Sequence, residues 1–111
     1  MTERLLVAEH VQKNQAISSD EAEKIHKIIY VILEEEKEVV LDFEGISLLI
    51  SSFLNSAIGK LYGEFKPDIV DNSITYENMD SRDQYILDKV IDRAKEYYKN
   101  KELIDGIIND A

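Results

Sequence analysis

The sequence predicts an α/β fold, a sandwich in which about three to four helices cover a mostly parallel central sheet of about four strands. Three observations predict it. Short apolar runs alternate along the chain with longer segments whose apolar residues recur at threes and fours, in the order strand, helix, strand, helix, strand, helix. Each strand-like run is separated from the next by a helix-length segment, the connection that parallel pairing requires. The 111 residues contain no internal repeat and no linker rich in Pro, Gly or Ser, so a single domain over 1–111 is expected, with a frayed tail from about residue 101.

Taken in order, "RLLVAEHV", Arg4 to Val11, has the apolar content of a strand, and "QKNQ" ends it. From Ser18 a helix is expected, because Ala22, Ile25, Ile28, Ile29, Ile32 and Leu33 form one stripe. Ser18 and Glu21 have the spacing of a capping box at its start. "EVVLDF", Glu38 to Phe43, is a nearly continuous β-branched run, read as a strand buried on both faces, and Gly45 turns the chain after it. Phe53, Leu54, Ala57, Ile58, Leu61, Tyr62 and Phe65 then predict a second helix of about four turns from Ser51, stopped by Pro67. One of the adjacent serines, Ser51 or Ser52, is expected to cap it, and Phe53 and Leu54 to enter the core.

"DIV" and "SITYEN", between Asp68 and Asn78, predict one or two further short strands around the turn-prone "DNS". Behind Asp80 or Ser81, a third helix places Leu87, Val90, Ile91, Ala94 and Tyr97 or Tyr98 on one face. "ELIDGIINDA" reads as a terminal helical turn interrupted by Gly106, or as a tail. The tyrosines Tyr62, Tyr76, Tyr85, Tyr97 and Tyr98 are expected along the edge of the core.

Composition narrows the function. Thirteen basic against 23 acidic residues give a net charge of −10, which opposes a nucleic-acid partner. The absence of cysteine excludes disulfides and thiol catalysis. No apolar run is long enough to span a membrane and the N-terminus lacks a secretory core, so a cytoplasmic protein is expected. His10 and His26 belong to no triad pattern, and the lone Glu23-x-x-His26 is half of what a di-metal bundle needs. Acidic pairs such as Asp42 with Glu44, or Asp80 with Asp83, are expected by chance in so acidic a chain. Nor do four glycines make a phosphate loop. The reading is a non-enzyme with no catalytic residue, no metal and no cofactor.

The segment "VVLDFEGISLLISSFLNSAIGKL" resembles the signature of STAS domains, the fold of bacterial anti-sigma-factor antagonists. Ile46, Leu48 and Leu49 fall on that family's apolar loop positions, and Ser51 and Ser52 on its serine pair. It resembles still more closely a STAS-like family of unknown function from bacteria and their mobile elements, matched by Leu41, Asp42, Phe43, Gly45, Ile46, Ser52, Phe53 and Leu54. The resemblance implies a regulatory module that binds a protein partner, a histidine-kinase-like ATPase or kinase, at the helix starting near Ser51. By position Ser51, ahead of Ser52, is the phosphorylated residue it implies, and Asp42, Ser51, Ser52, Asn55 and Lys60 the partner-binding set. Ile50 and Phe53 stand where the antagonists usually carry Asp and Gly. Two other readings are a nucleotide or small-anion sensor using the loop before that helix, and an acidic inhibitor from a mobile element. The sequence is compatible with a monomer or a homodimer.

Overall fold

A computed structural model describes the backbone of residues 1–109 and the side chains of residues 1–101 and 103. Its strands are β1 (Thr2–Leu6), β2 (Gln15–Ala16), β3 (Glu38–Asp42), β4 (Leu48–Leu49) and β5 (Ile74–Glu77), and its helices α1 (Ser19–Glu34), α2 (Ser51–Ala57), α3 (Pro67–Ser73) and α4 (Ser81–Asn109). The main sheet has the order β1-β3-β5, and β2 pairs with β4 in a second, two-stranded sheet. Every ladder is parallel. The α/β class and the mostly parallel sheet predicted from the sequence are therefore present.

Alternation along the strands sorts the main sheet into two faces. Leu5, Val39, Leu41 and Ile74 point to the helices and are buried. The other face stays largely open: Thr2, Arg4, Leu6 and Thr75 are exposed and Val40 is half-buried. β3 is thus covered fully on one side only, and its apolar run did not require a second helical layer.

The first predicted strand is shorter than its apolar run, because Val7–His10 turns into a 3-10 helix that buries Val7. α1 starts where expected: Ser18 is its N-cap, and the hydroxyl accepts from the Glu21 N–H at 3.4 Å. The return bond of a capping box is replaced, since the Glu21 carboxylate accepts instead from the Gln12 N–H at 3.1 Å. α1 ends with Glu36 in the left-handed region at φ 59° and the Lys37 N–H reaching back to the Ile32 carbonyl at 3.1 Å.

The second predicted helix is broken. α2 has seven residues, Ile58 leaves helical geometry, and a 3-10 turn, Gly59–Gly63, buries Leu61 and Tyr62. Gly59 and Gly63 are poor helix formers, and each is crossed by a side chain where a Cβ would stand, Asn55 Oδ1 over Gly59 and the Tyr98 ring over Gly63. Pro67 then opens α3 at its first turn, so "DIV" is helical rather than extended and only β5 follows. α4 is 29 residues long and runs through Gly106; only Ala111 and Asp110 of the predicted tail lie outside the described residues. Among its described side chains Leu87, Val90 and Ala94 are buried, with Tyr98 turned inward and Tyr97 59% exposed.

Candidate functional site

The loop between β3 and α2 is built on one carboxylate. Asp42, the last residue of β3, is 5% exposed although it lies on the open face of the sheet. Its Oδ1 accepts from the Glu44 N–H at 2.9 Å and from Asn78 Nδ2 at 2.8 Å, while Oδ2 accepts from Arg4 Nη1 at 2.9 Å. Arg4 in turn donates through Nη2 to Glu77 Oε1 at 3.0 Å. One side chain therefore joins β1, β3 and the end of β5. Hydrogen bonds from Asn78 and the Glu44 N–H, with Arg4 beside them, hold the Asp42 carboxyl below the usual carboxylate range despite its burial. The Glu77 carboxylate, and then Asp42, raise Arg4 above its ordinary value.

Beyond Asp42 the chain reverses at Gly45, whose φ of 82° suits a residue without Cβ. Ser47 N–H donates to the Asn14 carbonyl at 2.9 Å and Ile50 N–H to the Ala16 carbonyl at 3.3 Å, which attaches both ends of β4 to the β2 segment. This pairing keeps Ile50 extended and makes it the N-cap of α2, so neither serine takes the cap position expected of it. Ser51 and Ser52 instead occupy the first two helical positions, both exposed, next to an Ile50 that is 36% exposed.

Phe53 and Leu54 are core residues, 2% and 0% exposed. The bulk at Phe53 therefore faces the interior and not an incoming partner. Asn55, one turn after Ser51 and Ser52, is exposed on their side of the helix. Lys60 lies past the end of α2 in the 3-10 turn and reaches Glu23 Oε1 of α1 at 3.4 Å. Of the five predicted partner-binding residues, the structure brings together Ser51, Ser52 and Asn55; Asp42 is committed beneath the loop and Lys60 is tied to α1.

A profile of STAS-like domains of unknown function (DUF4325) matches residues 21–84, from the first turn of α1 to the first turn of α4 and including the whole β3–α2 segment. The chain belongs to this STAS-like family. Comparison with curated proteins and with solved structures returns no match. β1, β2 and most of α4 lie outside the STAS-like match, so Arg4, which holds Asp42, comes from a flanking segment.

Glu23 is paired with Lys60 and His26 with Glu64, and among the described residues no three His, Asp or Glu side chains gather at one point. No helix among them is long and apolar enough to cross a membrane. From Val39 to Gly59, a stretch that includes the loop before α2, the sequence contains no Lys, Arg or His.

A carboxylate that closes a strand is expected to accept from the turn after it, as Asp42 does from the Glu44 N–H, but sequence reasoning missed its long-range partners. Arg4 and Asn78 are 38 and 36 residues away from it, and only the parallel register, which sets Leu6 opposite Asp42 and Asp42 opposite Glu77, brings them together. No local pattern in the sequence carries that information.

Proposed function

We propose that this STAS-like chain is a non-enzymatic regulatory module that binds a protein partner through the first turn of α2. One observation carries the reading. Ser51, Ser52 and Asn55 are presented to solvent on a short helix whose lead-in loop is fixed at both ends, by Asp42 on one side and by the β2–β4 pairing on the other. A polar surface already ordered before contact loses little entropy on binding. The resemblance to anti-sigma-factor antagonists supports a histidine-kinase-like ATPase or kinase as the partner.

Phosphorylation of Ser51 is the regulatory step in this reading. It adds roughly −1.5 to −2 charge at neutral pH. The absence of Lys, Arg and His from Val39 to Gly59 leaves that charge without a cation from its own segment. The phosphate then acts outward, repelling an acidic partner surface or charging an apolar contact made by Ile50. Ser51→Asp is expected to weaken binding to the purified host ATPase by about tenfold or more, the effect of one unfavourable contact of about 1.4 kcal/mol. Ser51→Ala should retain wild-type affinity. Equal affinities for the two variants in a biosensor titration would rule out the switch, and failure of the unmodified chain to bind any such ATPase would rule out the partner class.

A further inference from the structure

Three surface grooves differ sharply in charge. The first, beside β1 and α1, balances Glu3, Glu9 and Glu35 against Arg4, Lys27 and Lys37. A second, beneath the end of α1, sets Glu34, Glu36, Glu38 and Asp68 against Lys37, a net of −3. The third lies between the Gly59–Gly63 turn, the start of α3 and the middle of α4. It gathers Lys66, Lys95, Lys99 and Lys101 against Glu64 and, through the Lys95 ion pair, Asp71, a net of +2 among the described residues. Four of the chain's 13 basic residues thus meet in one groove of a protein whose net charge is −10. Chance placement on an acidic surface favours the opposite sign.

The groove is also built. Its volume is about 720 Å³, within the range that accepts small organic ligands. Two of its lining side chains are held from beside the groove by Asp71, which accepts from the Tyr62 hydroxyl at 2.6 Å and from Lys95 Nζ at 2.7 Å. Lys95 sits 5.6 Å above the Tyr62 ring, which locks that ammonium in place. The Tyr98 ring closes against Gly63, where a side chain would collide with it, and half-buried Phe65 lines the same groove. Lysines supply point charges suited to phosphate, and the two rings offer apolar area beside them.

We propose that this groove binds a phosphorylated small molecule, its phosphate held by Lys66 and Lys99 and its apolar part resting on Phe65 and Tyr98. The site is independent of the α2 surface: it lies at the far end of the segment that begins at Ser51, and Lys95, Tyr98, Lys99 and Lys101 fall outside the family match.

Amide chemical shifts in a titration with phenyl phosphate test the proposal, with inorganic phosphate as the comparison. Saturable shifts are expected at Phe65, Lys66, Tyr98 and Lys99, with phenyl phosphate binding more tightly. Lys66→Ala combined with Lys99→Ala should weaken binding about tenfold or more, since each removes a charge-assisted contact. Both side chains are exposed, so an unchanged amide spectrum elsewhere is expected. Glu64→Gln should tighten binding, an effect opposite in sign to the lysine variants. Shifts confined to Ser51 and Ser52, no saturable shift at all, equal binding of the two probes, or unchanged affinity in the double lysine variant would each overturn the proposal.

Discussion

Asp42 shows how one residue sets both the geometry and the acid sensitivity of the site. Its carboxylate accepts from Asn78, the Glu44 N–H and Arg4, and these partners need it ionised. Its folded-state pKa is depressed, so its contribution to stability is fully present above the ordinary aspartate value of about 3.9 and is lost as pH falls through the depressed value. Urea unfolding of the wild type across that acid range should show the loss. Asp42→Asn should be less stable at neutral pH and should have a shallower acid dependence, because one titrating group has been removed. At Gly63 the constraint is steric. Gly63→Ala would place a methyl group against the Tyr98 ring, so the ring must move. The variant should lose the phenyl phosphate preference of the lysine groove while leaving binding at Ser51 unchanged, readable in the same two titrations.

Among the elements, the end of α1 departs from the usual pattern. The turn that closes it requires a left-handed residue, and the sequence places Glu36 there at φ 59°. Glu36→Gly should raise stability by about 1 kcal/mol, the conformational strain of a side chain in that region less the entropy glycine loses on folding, measured by urea denaturation. In α4, Leu87→Ala should cost about 2–5 kcal/mol, whereas Tyr97→Ala should cost only about 1 kcal/mol, the worth of its edge-to-face contact with the Tyr98 ring. Leu87 is 1% exposed and Tyr97 is 59% exposed.

Much of this element structure was legible in the sequence. α1 announced itself through Ser18 and its six-residue stripe, of which Ala22, Ile25, Ile29 and Leu33 are buried, Ile32 is half-buried and Ile28 stays exposed at the edge of the stripe. β3 and the inward Phe53 and Leu54 were equally plain. The break at Ile58 was not, because Leu61 and Tyr62 keep helical spacing while the backbone tightens to 3-10 geometry under side chains that cross Gly59 and Gly63. β2 and β4 were invisible for a different reason: two residues each carry no periodicity. The site was half legible. Ser51 and Ser52 could be placed at a helix start, but their exposure depended on Ile50 remaining in the β4 pairing, a contact with Ala16 that no local rule encodes.

At the scale of the whole molecule, 23 acidic residues against 13 basic ones make self-repulsion a general destabilising term. The melting temperature should therefore rise as salt is added, because screening relieves repulsion among exposed carboxylates more than it weakens exposed ion pairs such as Lys37 with Glu35. A melting temperature that falls with salt would show that the pairs dominate.

The all-parallel pairing also sets a kinetic order. Thr2 meets Glu38, Gln15 meets Leu48 and Val39 meets Ile74, so every ladder waits for a helix-bearing crossover to close. No hairpin can start the sheet, and both outer strands of the main sheet dock on β3 alone. The chain is thus expected to fold slowly for its length, and truncations at Val39 or Leu41 should retard folding more than they accelerate unfolding, as the two arms of a chevron plot would record.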